Sequence, residues 1–73
     1  MPQFAILQSC PFPHPDAERL ELVLAHLLDA TYQPYVVWIH NVETDGYGMG
    51  SYYVTRDEAE AGFVARYARL TKP

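Results

Sequence analysis

The sequence predicts a single α+β domain over residues 1–73, with element order β-α-β-β-α: a three-stranded, mainly antiparallel sheet carrying two helices on one face. Three observations lead there. Residues 35–41, "YVVWIHN", are rich in β-branched and aromatic side chains and read as a strand. Residues 17–28 place Ala17, Leu20, Val23, Leu24, Leu27 and Leu28 at helical spacing. Thr55 followed by Glu58 has the spacing of a capping box, ahead of an apolar stripe of Ala59, Phe63, Tyr67 and Leu70.

The elements follow in order. "QFAILQ", residues 3–8, reads as a short strand. "SCPFPHP" then sets prolines at 11, 13 and 15 and reads as a stiff extended connector. A first helix is expected from Pro15, with Asp16 and Glu18 in its first turn, and Pro34 ends it. Its polar side holds Glu18, Glu21, Ala25 and Asp29, together with Leu22, which is out of pattern and reads as an exposed leucine. Strand two is residues 35–41. "VETDG" supplies turn chemistry at Asp45-Gly46, and strand three is "GMGSYYV", residues 48–54. The closing helix starts after Thr55, and Gly62 beside its stripe allows close packing on the sheet. Strand three in the middle, antiparallel to both others, is preferred. Strand two in the middle, parallel to strand one, also satisfies the pattern.

Gly46, Gly48 and Gly50 raise the question of a phosphate loop. Such a loop runs from a strand into a helix N-terminus, whereas these glycines precede a strand, lack a following Lys-Ser or Lys-Thr, and neighbour Glu43 and Asp45. The plainer reading gives Gly46 to the turn and sets Gly48 and Gly50 on one face of strand three, leaving room for close packing.

Seventy-three residues allow one core, and a chain this short buries only about 60% of its unfolded surface. The single cysteine, Cys10, rules out an internal disulfide and points to a reducing cytoplasm, expected to be that of a bacterial cell. The longest apolar run, residues 35–39, is too short to cross a membrane as a helix, and no basic leader region precedes it. The chain opens on Met1 and reads as a small protein in its own right. Formal charge is −4. Residues 1–55 carry six acids against Arg19, and residues 56–73 carry three acids against four bases. That balance disfavours direct nucleic-acid binding and favours a basic partner.

No catalytic or cofactor constellation emerges, and no cofactor is expected. Cys10 and His14 are held apart by prolines, His26 and His40 fall on separate elements, and zinc needs three or four ligands. Cys10 has no neighbouring base to make it a nucleophile. Two surfaces remain for a partner. One is the acidic side of the first helix, where Glu18 and Asp29 stand about 16 Å apart with Glu21 between them. The other is the sheet face away from the helices, onto which Val36, Trp38 and His40 point, joined by Met49, Ser51 and Tyr53. An uncovered aromatic patch of this kind marks contact sites.

Length, acidity, the compact α/β pattern and the tract "YVVWIHNVETDGYGMGSYYVTRDEAEAGF" together resemble the phage-borne anti-CRISPR proteins, of the kind that act on type I effector complexes, type I-C among them. The resemblance is one of overall character and includes no diagnostic motif. It implies a non-enzymatic inhibitor that occupies basic surface on the effector and keeps target DNA away. Glu18, Glu21, Asp29, Glu43 and Asp45 are then expected to supply the attraction, with Trp38 and Tyr53 in close contact, and a monomer is expected ahead of a homodimer. The alternative is a small interaction module, homodimeric through its open sheet face.

Overall fold

A computed structural model of the chain describes residues 3–14 and 19–71. Four strands, β1 (Phe4–Pro11), β2 (Leu20–Leu27), β3 (Tyr35–Asn41) and β4 (Gly46–Tyr53), are followed by one helix, α1 (Arg56–Thr71). The strands form one antiparallel sheet in the order β1-β2-β3-β4, so each pairs with its sequence neighbour. The class, α+β with an antiparallel sheet, agrees with the sequence reading. The element count does not: there are four strands and one helix, in place of three strands and two helices. The preferred order, with strand three in the middle, is overturned; residues 35–41 do lie between the other two expected strands and run in the direction of the first, but β2 is inserted between them.

The difference lies in residues 20–27, "LELVLAHL", which are the strand β2 and not a helix. Leu22 and Leu24 face α1, while Val23 and Ala25 face the opposite side, and all four are at most 1% exposed. A central strand covered on both faces reads as a near-continuous apolar run. Such a run also satisfies a helical stripe, so periodicity alone could not separate the two. Leu22, out of pattern for a helix, is fully buried in the strand. The expected helix start at Pro15–Glu18 lies outside the described residues.

β1 extends past Gln8 through the first proline of the connector. Pro11 is tolerated because β1 is an edge strand and sits at its end. β3 matches its expected span. Between β3 and β4 the turn is residues 42–45. The Asn41 side-chain oxygen accepts from the backbone N–H groups of Glu43 and Thr44, and Asp45 donates its N–H to the Asn41 carbonyl at 2.7 Å. Asp45, at φ 59°, makes the left-handed step of this turn, and Gly46, assigned to the turn by the sequence, opens β4.

Each edge strand contains one extra residue. On β1 it is Leu7, between the pairs Ile6–Ala25 and Gln8–Leu24. On β4 the pairs Ile39–Gly48 and Val37–Ser51 leave Met49 and Gly50 opposite Trp38. Met49 has φ 55°. This bulge overturns the expectation for the glycines: Gly48 pairs with Ile39 on the helix side, while a Cβ on Gly50 would meet Val36 and Trp38 on the other face. Arg66 of α1 donates to the Val37 carbonyl at 3.1 Å, bracing β3 where the register shifts.

α1 is capped as expected. The Thr55 hydroxyl accepts from the Glu58 N–H at 3.2 Å, and the Glu58 carboxylate accepts from the Thr55 N–H at 3.3 Å. Asp57 and Glu58 occupy its first turn and Arg69 its last, matching the helix dipole. Ala59 and Phe63 bury against Leu22, Leu24 and Val37. Gly62 lies against the Tyr53 ring, where an added Cβ would overlap it. Close packing at Gly62 was expected; its partner, Tyr53, was placed on the wrong face, and it belongs to the helix-side core.

Strand and helix assign opposite fates to two leucines of the same segment. Leu22→Ala is expected to destabilise by about 2–5 kcal/mol. Leu28→Ala, at a position 56% exposed, is expected to change stability by less than about 0.5 kcal/mol. Urea unfolding of both variants checks this, and the reverse order would restore the helix.

Candidate functional site

The sheet face away from α1 is not open. Val23, Ala25 and Val36 lie on it with no exposed surface, although no helix among the described residues covers them. Aromatic rings do so instead. Phe4 meets Trp38 edge-on at 5.5 Å and Tyr47 edge-on at 5.3 Å, and Trp38 leans on Tyr47 at 4.6 Å. Phe4 belongs to β1 and Tyr47 to β4, the two edges, so the sheet curls about this face until rings from its two edge strands touch. Bulges in both edge strands favour that curl because they increase local twist. The face thus becomes a second small core.

A carboxylate-flanked histidine adjoins this aromatic cover. Register places Glu21 of β2 opposite His40 of β3, and His40 opposite Tyr47 of β4. His40 Nδ1 lies 2.8 Å from Glu21 Oε1, and Nε2 lies 2.7 Å from Asp45 Oδ1. Ionised carboxylates only accept, so both ring nitrogens donate and the imidazolium form satisfies both bonds. The ring stacks on Tyr47 at 4.3 Å, and the side chain is only 12% exposed. The Glu21 hydrogen bond is the largest influence raising the His40 pKa above its ordinary 6.5; burial opposes it, and the Asp45 bond adds to the rise. Burial raises the Tyr47 phenol, helped by Asp45 and Glu21. Burial also raises the Cys10 thiol, with Glu21 adding to it, so this cysteine stays protonated and weakly nucleophilic.

The expected contact residues do not form one surface. Glu21, Glu43 and Asp45 gather at the β3–β4 turn end, where Arg19 lies 3.6 Å from Glu43. Asp29 follows β2 and sits at the opposite end of the sheet. The stripe joining it to Glu21 does not exist, because its helix does not. Glu18 lies outside the described residues. Trp38 does lie on the face away from α1, as expected, but within the aromatic cover and half-buried. Met49 and Ser51, expected beside it, line a groove on the helix side. His40, Tyr47 and Phe4 were not singled out as a group. The signal for them is a strand assignment for residues 20–27, which sets Glu21 level with His40. Among the described residues, no group of three His, Cys, Asp or Glu side chains has metal-binding geometry, and no helix is long and apolar enough to cross a membrane.

Compared with known proteins, the chain matches no family model, no curated protein and no solved structure.

The His40 bridge ties stability to pH. A folded-state pKa raised above 6.5 means that its contribution is fully present below about pH 6.5 and is lost as pH rises through the folded value. At pH 6, above the carboxylate range, His40→Gln is expected to cost about 1–2 kcal/mol, the water-exposed Asp45 bond adding the smaller part. The gap between variant and parent should narrow as pH rises beyond the folded pKa. Denaturant melts across pH 6 to 9 check this; a gap that widens towards pH 9 would contradict the assignment.

Proposed function

We propose that this chain works by binding, as a non-enzymatic inhibitor that presents a carboxylate-rich end to a basic surface on another macromolecule. The observation that carries the reading is the β3–β4 turn. Glu43 and Asp45 stand on it exposed, Glu21 lies beneath, and the exposed Val42 adds an apolar contact point. Asp45 is 84% exposed yet is held by His40 and by its own left-handed backbone, so it is presented in a fixed position at little entropic cost. Three carboxylates against Arg19 and a protonated His40 leave this end negative, in a chain of net charge −4. A basic channel built for a nucleic-acid backbone attracts such an end through the same long-range field that attracts phosphate. The resemblance to anti-CRISPR proteins acting on a type I effector fits this electrostatic logic, with exclusion of target DNA as the outcome.

This reading moves the contact from the aromatic face to the turn. Trp38 and Tyr53 then act from within, Trp38 in the cover beneath the turn and Tyr53 under α1. The homodimer alternative loses its geometric motive on that face, which is already covered by Phe4, Trp38 and Tyr47.

Binding to purified type I effector, measured by pull-down and titration at low and moderate salt, tests the proposal. Glu43→Lys is expected to weaken binding about tenfold or more, most strongly at low salt. Asp29→Lys, at the far end of the sheet, is expected to change it little. Undiminished binding by a Glu43→Lys, Asp45→Asn double variant would remove the electrostatic basis of the proposal.

A further inference from the structure

The helix does not cover the whole of its side of the sheet. Beyond Phe63 a groove of about 550 Å³ runs between the last turns of α1 and the sheet, lined by Phe12, Leu20, Ile39, Met49 and Leu70, with Arg66 and Arg69 on the helix wall. A second hollow, of about 360 Å³, shares Leu20, Ile39 and Met49 and runs on towards Tyr47 and Gly48, with Asn41 and Thr44 of the β3–β4 turn at its far end. Volumes of about 300–1,000 Å³ with an apolar lining and few polar groups are those of small-molecule sites.

The charged groups here are all of one sign, and Ser51 is the one neutral polar side chain in the lining of the groove. Arg66 and Arg69 are three residues apart and therefore share a helix face. Among the described residues, no carboxylate pairs with either. Arg66 is anchored by its bond to the Val37 carbonyl, which sets the direction of its remaining N–H donors. Met49 stands on the rim, 75% exposed, with its backbone in the left-handed region that a non-glycine residue adopts only at a cost. Strain of this kind concentrates at ligand clamps, and a flexible thioether side chain suits closing over an apolar body.

We propose that this groove binds a monomeric long-chain carboxylate: the anionic head between Arg66 and Arg69, the hydrocarbon along Leu20 and Ile39, and Met49 folded against it. The head chemistry follows from two guanidiniums that accept no proton-bearing partner and favour planar oxyanions. The tail follows from the apolar floor of Leu20, Ile39 and Met49, which the two hollows share. This inference does not rest on the proposed function: its head site is cationic and on the helix side of the sheet, although the second hollow reaches the β3–β4 turn at Thr44.

Dodecanoate, titrated into the full chain below its micelle concentration and followed by calorimetry and by displacement of 8-anilinonaphthalene-1-sulfonate, tests it. One dodecanoate per chain is expected. Arg69→Gln should weaken it by about tenfold or more, the loss of one charge-assisted contact, and Arg69→Lys should recover part of the affinity. The exposed Met49→Glu should abolish binding while circular dichroism stays unchanged, and dodecanol should be indifferent to Arg69→Gln. Absence of dodecanoate binding to the intact chain, or equal affinity in the Arg69→Gln variant, would overturn the proposal.

Discussion

Burial of β2 on both faces is the constraint on which the rest depends. Leu22 and Leu24 need α1 above them, and Val23 and Ala25 need a cover below. The described residues hold one helix, and the second cover comes from aromatic side chains of the sheet itself. That solution requires curl, and the extra residues in β1 and β4 promote it. The same bulges interrupt both free edges of the sheet, which discourages pairing with another chain. One packing requirement thus sets the strand order, the edge geometry and the use of the aromatic residues.

The histidine bridge is a local consequence of that arrangement. Antiparallel pairing of β2, β3 and β4 lines up Glu21, His40 and Tyr47 across the sheet, and the β3–β4 turn returns Asp45 to the free side of the imidazole. Each bond alone would be a modest surface contact. Together they fix a turn that would otherwise be held by backbone bonds and the Asn41 side chain. The exposed carboxylates therefore rest on a braced support, and the charge of that support depends on a histidine whose pKa is raised above its ordinary value.

Parts of this were legible in the residues. The run "YVVWIHN" marked β3 because β-branched and aromatic density leaves few alternatives. Thr55 and Glu58 marked the start of α1 because a capping box is a local hydrogen-bond pattern that needs no tertiary partner. Gly62 could be read as a point of close approach, although not what approaches it. Residues 20–27 could not be settled, since an all-apolar strand and an apolar helix stripe place the same residue types in the same window. A helix over this segment would put Glu21 and Asp29 on one face and leave His40 without a partner, so the acidic stripe and the histidine bridge are mutually exclusive readings of the same residues.

By itself the sequence determined the α+β class, the antiparallel β3–β4 hairpin, the capped final helix and the acidic balance. Each rests on interactions within a few residues or on composition alone. Only the tertiary structure decided that β2 is a strand, that the face away from α1 covers itself, and that Glu21, His40 and Asp45 meet. Those outcomes depend on what lies across the sheet, at a distance along the chain where local propensity carries no information.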